Sequence, residues 1–238
     1  MSKLYERLSS LTPLLQGKQV NYLPMMVGAL KNEGIDESRI KELVDNFIKK
    51  MPVGDLGEKL YPKSMFDEYY IHKTNFYLGQ LRVKSFDVLF HQILDTEHDL
   101  SASYEFAGLL RLMYALRSEE ELPLAEALAF FDLSAMKKQV EIEHTISFEK
   151  LKERLIKNYE KHSSRKNLVI LMNLLTLARL KSYLPNFEEV LERYFIVSSD
   201  VPLESENLYP SLTEIKEAKI DSFDDMLLMI MHDLLNNK

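Results

Sequence analysis

The sequence predicts an all-α protein: a single multi-helix domain over residues 1–238 with a central buried apolar helix. Three features carry that expectation. Apolar residues recur at spacings of three and four in Phe148, Leu151, Leu155, Ile156 and Tyr159, with Lys, Glu and Arg between them, the pattern of a helix with one solvated face. Only 7 glycines and 8 prolines interrupt a chain that is 46% hydrophobic, enough to bury a sizeable core. The stretch from Leu168 to Leu180, LVILMNLLTLARL, is apolar nearly all round. It is shorter than the roughly 20 residues that a bilayer crossing requires, so it reads as an internal helix.

Breakers divide the helices in order. Gly34 to Asp36 separates the first two periodic stretches, and Pro52 to Pro62, with Gly54 and Gly57, precedes the next. Asp95 to Ser101 and His162 to Lys166 are further connections, and Ser198 to Pro210 is the longest polar interruption, a lid or, as its length favours, a surface loop. Ser147 is placed to cap the amphipathic helix that begins at Phe148. Asn186 with Glu189 gives a capping box for a following helix, and Ser222 with Asp225 a weaker one for the last. No repeat of fixed period is present.

Composition removes whole classes of function. A net charge of −7 disfavours nucleic acid or an anionic membrane surface as the main partner, because both are bound through a net basic face. The start, MSKLYERLSSLTPLLQGKQ, has no apolar run of signal-peptide length, so a cytoplasmic protein is expected. The absence of cysteine excludes disulfides, thiolate zinc sites and cysteine nucleophiles. There is no G-x-G-x-x-G after a strand, no P-loop and no G-x-S-x-G elbow. The basic residues of Lys150 to Lys166 alternate with Glu and describe a solvated helix face.

Five segments, in order, resemble the questin oxidase-like family. Asn21 to Leu43, NYLPMMVGALKNEGIDESRIKEL, is similar to its N-H-x-P-M segment, a helix followed by a Gly turn and a second helix. Thr74 to Leu94 resembles its L-G segment with an aromatic-rich helix, and Tyr104 to Phe131 its H-G-L-I-R-x-x-Y-A-L segment. LMNLLTLARL from Leu171 and DDMLLM from Asp224 look like its L-H-x-V-T and D-D-H-x-I-K segments. The resemblance implies oxidation of polycyclic aromatic polyketides at a non-haem iron held by four histidines and a lysine. Carried over residue by residue, those positions are Tyr22, Ala107, Met172, Met226 and Met229. Ala offers no donor and thioethers favour soft ions, so no metal and no other cofactor is expected there.

Two readings of that centre stay open. The methionines, with Met231, are ordinary core residues that fill irregular gaps, or they line an apolar pocket for a lipophilic small molecule with Asn21, Tyr22, Arg111 and Tyr114 as polar anchors. The expected function is non-catalytic, a binding protein on the inherited scaffold. The alternative is an oxidoreductase that works without the family metal or with a relocated one. For a relocated site, Asp95 with His98 and Glu141 with His144 give carboxylate–histidine pairs at three-residue spacing. His72 and His91 read as satisfied structural histidines, and His162 and His232 as exposed.

Overall fold

The computed structural model describes residues 3–15, 19–51, 53–58, 63–95, 107–134, 147–184, 187–188, 190–192 and 209–237. The expected Asn186 cap, most of the Ser198 to Pro210 loop, and His98, Glu141 and His144 lie outside the described residues. Within them the protein is all-α, with two isolated bridges, Leu11 with Asp55 and Leu14 with Val20, and no strand. The first helices are α1 (Lys3–Ser9), α2 (Leu23–Asn32), α3 (Glu37–Lys50), α4 (Met65–Leu81) and α5 (Phe86–Asp95). They are followed by α6 (Ala107–Ser118), α7 (Glu121–Ser134), α8 (Phe148–Lys161), α9 (Arg165–Arg179), α10 (Leu212–Glu217) and α11 (Met226–Asn236).

Short polar side chains fix where these helices start. Gly34 takes a φ of 71°, which a residue without a Cβ adopts without strain, and ends α2. Asp36 then caps α3 by accepting from the Ser38 N–H. Ser64 and Asp67 form a reciprocal capping box on α4. Ser147 caps α8, as its spacing predicts. Ser164 accepts from the Asn167 N–H, so α9 begins inside the connection expected to run to Lys166. At the last helix the cap is Asp225, which accepts from the Leu227 N–H. The expected Ser222 cap is therefore corrected: its hydroxyl donates to the Lys219 carbonyl and closes the 3₁₀ turn Ile220–Ser222 instead.

Four helices form the centre. α2 packs on α6 and α11, and α9 packs on the same two, so the four close a ring. α7 covers α6, α4 lies on α7, and α8 covers α9. One continuous apolar cluster runs through them from Leu4 to Leu234. α9 is buried around nearly its whole circumference from Asn167 to Leu177, which is why its sequence shows no polar face. Asp132 holds α4 against α7, accepting from Lys73 Nζ at 2.6 Å and from the Tyr77 hydroxyl at 2.8 Å. Near the N-terminus, Thr12 and Gly54 exchange two hydrogen bonds, which ties the segment after α1 to the segment after α3. Among the described residues no helix is long and apolar enough to cross a membrane.

The ring is close-packed at Gly28. A Cβ there would stand 2.5 Å from Cδ1 of Tyr114, well inside contact distance. Gly28→Ala is expected to destabilise the protein by about 1–3 kcal/mol through overpacking. Thermal and urea unfolding read this directly, and an unchanged midpoint would show that α2 and α6 yield at this contact.

Candidate functional site

The positions that the resemblance assigns to the metal all fall on the central ring. Tyr22 immediately precedes α2, Ala107 opens α6, Met172 lies mid-way along α9, and Met226 and Met229 occupy the first turn of α11. Tyr22, Ala107, Met172 and Met229 are exposed by 2% or less, and Met226 is half-buried against the same core. The Tyr22 ring lies 5.9 Å from the Arg165 guanidinium carbon. Asn21 is buried, its amide donating to the Thr12 carbonyl at 2.9 Å and its Oδ1 accepting from the Leu23 N–H at 3.1 Å. Asn21 thus has both ends of its side chain engaged by backbone, the arrangement of a turn that starts a helix.

Arg111 and Tyr114 stand one turn apart on α6 and line a cleft with Ser9 of α1, Met25 of α2 and Glu126 of α7. Its volume is about 30 Å³, room for roughly two waters. Arg111 is 4% exposed, an unusual burial for an arginine. Its guanidinium carbon lies 5.7 Å from the Tyr70 ring and 5.2 Å from the Phe130 ring, so aromatic faces replace part of its hydration. Its Nη1 has no hydrogen-bond partner among the described residues. Burial raises the Glu126 carboxyl above the ordinary glutamate range, and the nearby Arg111 charge works against that shift.

Tyr114 is set by a buried polar hub that sequence reasoning did not identify. Its hydroxyl donates to Asp233 Oδ2 at 2.5 Å, and burial together with the Asp233 charge raises its pKa well above the usual phenol value. Asp233 is completely buried on α11. Its Oδ1 accepts from the side-chain amides of Asn32 and Asn237 at 3.1 and 3.0 Å. Nη1 of Arg179 and of Arg117 lie 3.6 and 3.7 Å from Oδ2. Arg179 Nη2 also donates to the carbonyls of Asp233, Leu234 and Asn237, and so satisfies the open end of α11. Asn32, Arg117 and Arg179 come from the last turns of α2, α6 and α9, where cations complement the helix dipole. The sequence signal was the charge of Asp233, the one Asp, Glu, Lys or Arg in a strongly apolar helix.

The histidines differ from expectation. His232 is buried, with its Nε2 2.9 Å from the Ala218 carbonyl and its Nδ1 3.6 Å from Glu33, because the apolar last helix turns this residue inward. His72 and His91 are exposed rather than structural core residues, although His91 reaches the Tyr183 carbonyl at 3.2 Å. His162 is half-buried at the end of α8. Among the described residues, no group of three His, Cys, Asp or Glu stands close enough to share a metal ion. No protein-family model, no curated protein and no solved structure matches the chain.

Two outcomes follow from these environments. Asp233→Ala removes a fully buried carboxylate, leaves the half-buried Arg179 without its counter-charge and the buried Tyr114 hydroxyl without its acceptor, and is expected to cost about 3–5 kcal/mol, measured by chemical denaturation. The folded chain binds the Glu126 proton more tightly than the unfolded chain does. Its contribution to stability is therefore fully present below the ordinary value of 4.5 and is lost as pH rises through the raised one. Glu126→Gln should remove that decline, seen as a wild-type-minus-variant stability difference that changes with pH only above about 4.5.

Proposed function

We propose that this chain is a non-catalytic binding protein on a helical scaffold resembling the questin oxidase-like family, and that its ligand docks at the Arg111–Tyr114 cleft. The observation that supports this most directly is the buried Arg111 guanidinium with an unpaired N–H at that cleft. Leaving such a donor without a partner costs about as much as a lost hydrogen bond, and more for a charged group. A carbonyl or carboxylate presented to Nη1 would offset that cost.

The reading moves the ligand away from the apolar centre. Tyr22, Ala107, Met172 and Met229 fill their own space in the core, and none of them supplies a nitrogen donor. Leu8 and Met25 flank the cleft and suit an apolar remainder that extends from its mouth. The small volume suits a ligand that inserts one acceptor group rather than a whole polycyclic system. The chain's acidic balance, read with the cytoplasmic expectation, fits a small-molecule ligand better than a nucleic acid.

The test is native mass spectrometry of the purified chain against its denatured mass, repeated on Arg111→Met. An organic-sized excess carried by the wild type and missing from the variant is the expected result. A metal-sized excess would favour the alternative oxidoreductase reading, and no excess on either chain would leave a packed scaffold without a ligand.

A further inference from the structure

α4 is apolar on two opposite faces. The inner one, with Tyr70, Thr74 and Tyr77, is buried, and the helix packs on α7 with its rotation fixed by the Lys73 and Tyr77 contacts to Asp132. The outer one carries Met65, Tyr69, His72, Phe76, Gly79 and, in the closing turn, Val83. These alternate at spacings of four and three, the heptad rhythm of a helix that lies along another helix. All six are exposed, Met65 by 71%, Tyr69 by 54%, Phe76 by 50% and Val83 by 77%. Single exposed apolar residues are ordinary, whereas four of them aligned with His72 and Gly79 in a row about 27 Å long mark a contact surface.

We propose that this row is the interface of a symmetric dimer, with α4 of two copies packed antiparallel about a twofold axis at the level of Thr74. Volume and charge select the second copy as occupant and fix its direction. In that register Tyr69 faces Gly79 of the second copy, and a Cβ at Gly79 would meet nothing within 4 Å, so the ring has a notch to enter. Met65 faces Val83 and His72 faces Phe76. On one flank Glu68, near the start of α4, meets Arg82, just past its end, twice by symmetry. Asn75 meets Asn75 on the axis. On the other flank Lys73 approaches Lys73, and each is already neutralised by its own Asp132 at 2.6 Å. A parallel pair would stack Gly79 on Gly79 and leave a void, leave Arg82 without an acid, and align the two helix dipoles. The interface is isologous and closes at two copies.

Sedimentation velocity over a concentration series should show the intact chain passing from 27.8 kDa to twice that mass. Tyr69→Glu or Glu68→Arg is expected to raise the dissociation constant about tenfold or more, with helicity by circular dichroism unchanged because both sites are exposed. The charge-swapped pair Glu68→Arg with Arg82→Glu should restore association. The chain has no native cysteine, so Asn75→Cys should be joined to a second copy by a short bismaleimide, and Glu42→Cys on α3 should not. A mass of 27.8 kDa at every concentration overturns the proposal. So does a dimer indifferent to these substitutions, a swap that restores nothing, or a complex in which a different protein occupies the α4 face.

Discussion

The buried carboxylate of Asp233 is the constraint around which the central helices are arranged. A charge with no solvent access survives only when fully paired and hydrogen-bonded. Asp233 meets that requirement with a phenol, two amides and two guanidinium groups drawn from the C-terminal ends of α2, α6, α9 and α11. Apolar packing alone would let those helices slide or rotate at modest cost, since it is non-directional. The hub is directional, so it fixes their relative register.

Both features of the candidate site depend on that register. Tyr114 is held by its hydroxyl, and its ring packs directly on Gly28, where the absence of a Cβ makes room for it between α2 and α6. One turn back on the same helix, Arg111 is thereby presented to Glu126 and to the Tyr70 and Phe130 rings. The opposite end of the ring has a different character. There Tyr22 lies by Arg165, and Tyr209 donates to Asp225 at 3.0 Å, so the helix starts are tied by aromatic and capping contacts. The positions Tyr22, Ala107 and Met226 sit at that end, the first two buried in the core and Met226 half-buried against it.

Periodicity was a good guide where one face of a helix meets water. It located α8 and its Ser147 cap, and the unbroken apolar run located α9 and its burial. It was a poorer guide at the last helix, where Ser222 and Asp225 both have capping chemistry and only tertiary contacts decide which is used. Arg111 and Tyr114 entered as candidates through the resemblance of the Tyr104 to Phe131 segment, and the structure places both on one cleft of α6. Glu126 was not legible, and Asp233 stood out only as a charge in an apolar helix, because a carboxylate on a helix is ordinarily solvated and nothing local reports the distant partners, Ser9 for Glu126 and Asn32, Tyr114, Arg117 and Arg179 for Asp233. His232 failed for the same reason. α4 shows the converse limit, since a helix with apolar residues on both sides gives no clear inside from sequence alone.

The hub is also long-range in sequence. Asn32 and Asp233 are 201 positions apart along the chain, and Tyr114 and Asp233 are 119 apart. Only the Asn237 contact, four residues from Asp233, is local, and every other donor arrives from a distant helix. The contacts that complete the hub therefore join residues far apart in the chain, the kind of pairing that slows folding through loop entropy, and α11 is the element whose packing on α2 and α9 covers their apolar faces.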